Sequence, residues 1–510
     1  MDKDFLSMVS QTITDSDANL SVTENGATGF KSTGKALVDI NFAVSSLRGA
    51  DDAAIISKFS AACADDLDLA ILWLFFARDI RGGMGERRLF RVCLKYLARE
   101  FPDKVRSVLP LVPEYGRWDD VMCLLDSKVQ DDAAQMVKKQ LAQDAENYLQ
   151  NKPISLLAKW MPSINASSTS RRELAEILAK KIGLQPMVYQ KTLSSLRSYL
   201  NIVEKKMSNR QWNEIEYSAV PSRANLLYNK AFLRHDEYRR RDFLSKVEKG
   251  EEKINAGAVF PHDIVHRYGY SSNGEDSTLE SMWKALPNTV KDGEGTIVVA
   301  DGSGSMCARV GGGSVLAREV ANALAIYFAE RLPEPYKDKY ITFSSRPQIV
   351  DLGGGTTLLN KLNTARRHNE VANTNIEAVF DLILDTAERN RLKQNQIPNN
   401  ILIISDMEFD SASRMCVGGR WVSPSMTLFE QIRMKYEMAG YKMPRLVFWN
   451  VCSRTGTTPV KENDLGVALV SGFSPNIAKM VMSGKTDPYE VLVETLKGER
   501  YAPVADALKH

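Results

Sequence analysis

The chain has 510 residues, 44% of them hydrophobic and 25% charged, with a formal net charge of +3. That length exceeds what one hydrophobic core organises and implies two domains or more, while a pI near 8.3 is far from the strongly basic footprint of a dedicated nucleic-acid-binding module. The cysteines Cys63, Cys93, Cys123, Cys307, Cys416 and Cys452 lie far apart without CxxC spacing, which excludes a zinc finger or a disulfide framework, and no apolar run reaches the length of a membrane span. The chain reads as cytoplasmic, with no membrane partner.

Residues 1–30, rich in Ser, Thr, Asp and Asn, read as a flexible N-terminus. From 31 to 290 no strand alternation is visible. Amphipathic stretches recur instead at Asp66–Arg78, Arg87–Glu100, Arg171–Lys181 and Thr192–Met207, separated by short polar or Gly/Pro turns. They predict an α-helical, HEAT-like array of paired helices, although no fixed-period repeat marks it. Arg234, Arg239, Arg240, Arg241 and Lys246, interleaved with Phe232, Tyr238 and Phe243, combine cations for phosphates with rings for stacking. Arg171, Arg172 and Arg197 belong to a second basic strip. The competing reading is that both are solvated helix faces, balanced by Asp236, Glu237, Asp242, Glu251 and Glu252. Arg78, Arg81, Arg87 and Arg88 surround a glycine turn and either bind or cap helix ends and pair with Asp79 and Glu86. His262 and His266 share a helix face, but a third ligand is missing, so packing or capping is expected of them. The stretch from Tyr268 to Gly295 reads as a linker.

Beyond 290 the pattern changes to strands alternating with helices. Thr296–Ala300 is a short β-branched strand, Ser314–Arg331 a helix, Lys339–Phe343 a strand, and Asn375–Asn390 a helix. Ile401–Ser405 is an apolar run of the kind buried on both faces; a helix near Met426–Ala439, strands at Arg445–Val451 and Val467–Val470, and a closing helix after Pro488 follow. This is the signature of an α/β doubly wound parallel sheet, Rossmann-like in layout, over residues 291–510.

At the carboxyl end of its first strand stands Asp301-Gly302-Ser303-Gly304-Ser305. Alternate spacing lets Asp301, Ser303 and Ser305 turn toward one point, and the glycines permit the tight backbone this requires. Hard oxygen donors without His or Cys suit Mg²⁺ first, with Mn²⁺ or Ca²⁺ as the other candidates. The bland alternative is a polar strand-to-helix turn with Ser314 as the next N-cap. Cys307, two residues on, is expected to be a small buried side chain rather than a nucleophile.

Asp301, Ser303 and Ser305, with Thr374 before the next buried strand and Asp406 ending it, resemble the metal-ion-dependent adhesion site of a von Willebrand factor A domain. The resemblance implies that Ser303, Ser305 and Thr374 hold the cation, that Asp301 and Asp406 orient waters and hydroxyls, and that one position stays open for an acidic group. The Gly311-Gly312-Gly313 stretch departs from it by lengthening the loop. A helical array followed by such a domain resembles the Ro (TROVE) family, and more closely its Ro-like relatives without an assigned activity. The resemblance rests on Arg78-Asp79-Ile80-Arg81-Gly82-Gly83-Met84-Gly85-Glu86-Arg87, Tyr115-Gly116-Arg117-Trp118-Asp119-Asp120, Leu157 through Ser163, Val220 through Ala224 and Ile254 through His262. It implies a helical ring that admits single-stranded RNA ends, a basic surface that holds structured RNA, and hence a ribonucleoprotein. The alternative is a metal-dependent protein-interaction module with an acidic partner and no nucleic-acid role. No general base or nucleophile stands near the cation motif in sequence, so no enzyme is expected.

Overall fold

The computed structural model describes residues 19–509 except 26, 270–273, 291–294, 312, 344–345, 370–374, 410–415, 418–419, 422–427, 455, 460–466 and 478–486. Two compact units emerge, and neither is continuous in sequence. One comprises Met1–Leu67, Phe260–Asp276 and Pro287–Thr495; the other comprises Asp68–Val259, Ser277–Leu286 and Leu496–His510. No single cut near residue 290 separates them.

The first unit is built on strands β1 (Leu20–Val22), β2 (Thr28–Phe30), β3 (Thr296–Asp301), β4 (Lys339–Phe343), β5 (Gln348–Asp351), β6 (Asn400–Ser405), β7 (Cys416–Val417), β8 (Arg420–Trp421), β9 (Arg445–Asn450) and β10 (Ala468–Ser471). Six of them form one sheet in the order β10-β9-β6-β3-β4-β5. All its pairings are parallel except β4 with β5. The antiparallel edge strand β5 was not legible in the sequence: it is four residues long, and only Val350 is buried, between the exposed Ile349 and Asp351. The central strands are apolar on both faces because helices cover both. Ile401, Leu402, Ile403 and Ile404 are all buried, and so is nearly every residue of the helix Ala317–Ala329 that links β3 to β4.

Residues 19–65, which the composition assigned to a loose N-terminus and the helical array, complete this unit. The β1–β2 hairpin exchanges backbone hydrogen bonds with Thr458 through Phe30, at 2.8 and 2.7 Å. The helix Ala36–Leu47 buries nine of its twelve residues, too many for a surface helix with one apolar stripe. It lies against the sheet, where Asn450 donates to the Phe42 carbonyl (2.9 Å) and the Ser45 N–H to Ser471 Oγ (2.9 Å).

The second unit is helical. Arg87–Glu100 shows the local logic, with Leu89, Phe90, Cys93, Leu94, Leu97 and Ala98 buried along one face. The glycine turn before it is built around Asp79, which accepts from the N–H groups of Arg81 (2.9 Å) and Gly82 (3.1 Å) and pairs with Arg500. Gly83 is required there, because a Cβ would stand 2.0 Å from the Phe76 carbonyl oxygen. Tyr501 stacks on Tyr115 at 5.7 Å, which is why the C-terminal residues belong to this unit. Among the described residues no helix is long and apolar enough to cross a membrane.

Candidate functional site

In the sheet unit the chain leaves β3 toward β4 on one side and leaves β6 toward β9 on the other. The carboxyl ends of β3 and β6 therefore flank the point where the winding reverses, the place where open α/β sheets leave a crevice. Asp301 is the last residue of β3 and Asp406 follows the last residue of β6. Both are about 1% exposed.

The hydrogen bonds around them are directional. Ser303 N–H donates to Asp301 Oδ1 (2.9 Å), Ser405 Oγ donates to Asp301 Oδ2 (2.7 Å), and the Ser303 and Ser305 hydroxyls lie 2.8 Å apart. Asp406 accepts from the Glu408 N–H at 3.2 Å, and its other oxygen faces Arg454 at 3.4 Å. Arg454 is shared with Glu24 at 2.5 Å, so it only partly offsets the charge on Asp406. Burial, and then the nearby Asp406 carboxylate, push the Asp301 carboxyl up to about 7. Asp406 is also raised, chiefly by burial. Two desolvated carboxylates beside two hydroxyls, with no thiol or imidazole joining them among the described residues, make a donor set suited to a hard divalent cation. Among the described residues no three His, Cys, Asp or Glu side chains group to hold a metal, so such a cation would rest on two carboxylates and hydroxyls. Thr374 lies outside the described residues. Cys307 is exposed, contrary to expectation, because it ends the short turn Gly304–Cys307 on its solvent side.

The cations chosen from the sequence have varied fates. Arg240 is completely buried; its guanidinium reaches Asn225 Oδ1 at 3.1 Å and lies within 5.0–5.5 Å of the Tyr217, Phe232 and Phe243 rings, so it cannot meet a phosphate. Arg197 donates to the carbonyls of Ala158 and Met161 (both 2.7 Å) and to Ser163 Oγ (2.5 Å), tying down the 158–163 segment. Arg172 closes the turn before its own helix through the Ala166 and Ser167 carbonyls. Arg239 holds the Trp212 and Ile215 carbonyls and Asp236, while Arg241 and Lys246 pair within their helix with Glu237 and Asp242, each at 2.8 Å. Arg234 and Arg171 are exposed. The eight residues therefore do not form one basic surface.

A different group of cations converges. Arg87, Arg91, Lys95 and Arg171 line a cleft of about 230 Å³ together with Trp160, Pro162, Leu174, Met122, Cys123 and a single carboxylate, Asp119. Beneath it Asp120, fully buried, binds Arg78 (2.8 Å) and Arg91 (2.6 Å), and Asp119 meets Arg91 (3.0 Å), Arg117 (3.1 Å) and Arg87 (3.6 Å). Arg78 and Arg87 thus pair with Asp120 and Asp119, while Asp79 pairs with Arg500. Gly116 has no room for a side chain, since a Cβ would stand 2.5 Å from Asp120 Oδ2. The Arg117 guanidinium lies 4.0 Å over the Trp160 ring. Burial, and then repulsion from Arg91, hold Arg87 below its usual value, and burial does the same to Arg117. Lys95 is paired with Asp126 at 3.0 Å, but the cleft still has more positive charge than Asp119, Asp120 and Asp126 neutralise, and an anion would relieve it.

Comparison with known proteins adds the following. Residues 295–503 match a domain of unknown function (DUF7788), and residues 184–297 match another (DUF2828). The chain is 30% identical over 526 residues to the uncharacterized protein L728 of Acanthamoeba polyphaga mimivirus, covering 96% of this chain and 89% of that one. It belongs to the same family as that viral protein. Among solved structures, the Ro (RSR) protein of Deinococcus radiodurans is similar over 85% of this chain and 92% of its own, at 14% identity and a TM-score of 0.41.

The cleft was missed in the sequence although its parts had been singled out as separate motifs. A signal was present in the other cluster. Arg239, Arg241 and Lys246 each have an acid three or four residues earlier, and Arg240 falls on the apolar face with Phe243 and Leu244.

Proposed function

We propose that this chain is a Ro-like RNA-binding protein that holds phosphates in the Arg87–Arg171 cleft of its helical unit and a divalent cation, Mg²⁺ foremost, at Asp301, Ser303, Ser305 and Asp406 of its sheet unit. The observation that carries the RNA reading is the cleft itself. Guanidinium groups and an ammonium group surround an indole in a space too small for a folded protein segment and suited to a phosphate with an adjoining base. Arg91 is fixed by two aspartates and serves as a rigid wall; Arg87 and Arg171, more exposed, are the groups that meet solvent anions. Trp160, backed by Arg117, offers a ring for stacking.

In the sheet unit Ser405 and the Ser303 N–H fix the Asp301 carboxylate in one orientation, and the Glu408 N–H and Arg454 fix that of Asp406. When bound, a cation supplies an acceptor for an anionic oxygen. The protein supplies the preset donors and the burial that makes two adjacent carboxylate charges costly without a counter-ion. The resemblance to a von Willebrand A domain would add Thr374.

Titration of a fluorescent single-stranded oligoribonucleotide at several salt concentrations tests the cleft. Charge reversal of Arg87 and Arg171 together is expected to lower affinity more than tenfold and flatten the salt slope by about 1.4, at roughly 0.7 per phosphate contact. Reversal of Arg241 is expected to do little. Wild-type affinity and slope in the double variant would remove the cleft from RNA binding.

The buried carboxylate pair also favours a second reading, in which the cation captures a carboxylate of a protein partner. Magnesium-dependent retention of an acidic peptide, with no affinity for the oligoribonucleotide, would select it.

A further inference from the structure

The helix Pro261–Tyr268 carries His266 in its last turn, and the helix Ala317–Ala329 carries Glu319 in its first. Between them residues 308–310 pair with residues 315–317 through the Val310 N–H to the Val315 carbonyl (2.9 Å) and the Ala317 N–H to the Ala308 carbonyl (2.9 Å), as in a hairpin. Its tip is drawn in by the Gly313 N–H to the Val310 carbonyl (3.2 Å), and Ser314 stands just after that turn, exposed. All these segments belong to the sheet unit.

The three side chains form a relay. Glu319 Oε2 lies 2.9 Å from His266 Nδ1, and His266 Nε2 lies 3.1 Å from Ser314 Oγ. The carboxylate can only accept, so Nδ1 carries the imidazole hydrogen and Nε2 is left as the acceptor for the serine hydroxyl. Glu319 is 5% exposed and its Oε2 also takes the Leu316 N–H at 2.9 Å, which fixes the carboxylate. The sequence had suggested Ser314 as the N-cap of the following helix. It is not: Leu316 occupies that position, and the Ser314 hydroxyl is turned to the imidazole.

We propose that Ser314, His266 and Glu319 are nucleophile, general base and positioning carboxylate of a surface site that hydrolyses carboxylic esters. Ser314 Oγ bonds to the ester carbonyl carbon as its proton passes to His266 Nε2; the C–O bond to the alcohol breaks, and the alcohol leaves with that proton. Water then attacks the acyl-serine, gives one proton to His266 and releases the acid, after which the proton returns to Ser314 Oγ. Glu319 remains charged throughout, holding the tautomer and stabilising the imidazolium. The backbone N–H groups next to the nucleophile, those of Ser314 and Val315, are the groups that would have to donate to the developing oxyanion. An ester suits an exposed serine better than an amide, since its carbonyl is less stabilised by resonance and an alkoxide is a better leaving group than an amide anion.

The test uses the full chain, 4-nitrophenyl acetate and a fluorophosphonate probe. The expected result is a probe adduct on Ser314, read by peptide mass spectrometry, and ester turnover above buffer that Ser314→Ala abolishes. His266→Gln is expected to lower kcat at least hundredfold. Glu319→Gln keeps an oxygen for the Leu316 N–H and is expected to lower kcat tenfold or more, alter the pH profile and leave KM and Tm in place. An unlabelled Ser314, turnover no faster than buffer, or wild-type turnover in Ser314→Ala would each overturn the proposal. A wild-type rate and pH profile in Glu319→Gln would also overturn it, since the relay would then play no part.

Discussion

The two units bury charge in opposite ways. In the helical unit Asp120 is fully buried, but Arg78 and Arg91 reach its oxygens and the Arg117 N–H adds a third donor at 2.9 Å. In the sheet unit Asp301 is equally buried, and among the described residues it has no cation beside it and is held by hydroxyl and amide donors, while its neighbour Asp406 has a share of one arginine. A satisfied buried pair is a structural tie. A buried carboxylate pair short of positive charge is suited to a cationic ligand, and this contrast separates architecture from candidate site more reliably than a count of charges does.

The largest effect should come from breaking the satisfied side. Asp120→Ala removes the Arg78 partner and leaves Arg87, Arg91 and Arg117 to share Asp119, and urea unfolding of the full chain is expected to lose about 3–5 kcal/mol. A loss below about 1 kcal/mol would mean that the network is not a tie.

The unsatisfied side makes the complementary prediction. Added Mg²⁺ at a hundred times its Kd should stabilise the wild type by about 2.7 kcal/mol, read as a rise in the thermal midpoint. Asp301→Ala should remove that response. A midpoint that rises equally in the variant would place the cation elsewhere.

Adjacent arginines sharpen the comparison at single-residue scale. Arg240→Ala deletes a buried side chain packed among three rings and should cost about 2 kcal/mol, whereas Arg241→Ala, 65% exposed beside Glu237, should stay within about 0.5 kcal/mol. Equal costs would contradict the burial assigned to Arg240.

The smallest effect is chemical. Burial pushes the Cys63 thiol up to about 12, so at pH 8 only about one in 10⁴ of these groups is thiolate, and the reactive fraction grows only as pH rises toward that value. Iodoacetamide at pH 8 should therefore label the exposed Cys307 and spare Cys63 in the folded protein, with both labelled once it is unfolded.

Local chemistry made several features legible in advance. The β-branched runs at 296–300 and 401–405 are strands because residues apolar on both faces have no other stable place, and Asp301 and Asp406 end them because a charge cannot continue such a run. The helix at 87–100 follows from its period. Tertiary structure alone decided the rest, since each of these outcomes depends on which distant residue comes close. Nothing within residues 36–47 announces that they cover a sheet whose last strand is more than 400 positions away. Nothing in Arg87, Trp160 or Arg171 separately shows that they line one cleft. The charges near 239–246 looked like a surface because side-chain pairing is invisible to composition, and Ser314, His266 and Glu319 became a relay only when a hairpin and two helices met. The sequence by itself determined periodicity, hydrophobic patterning and the donor types at strand ends; proximity, and with it the sharing of charge, was decided by the fold.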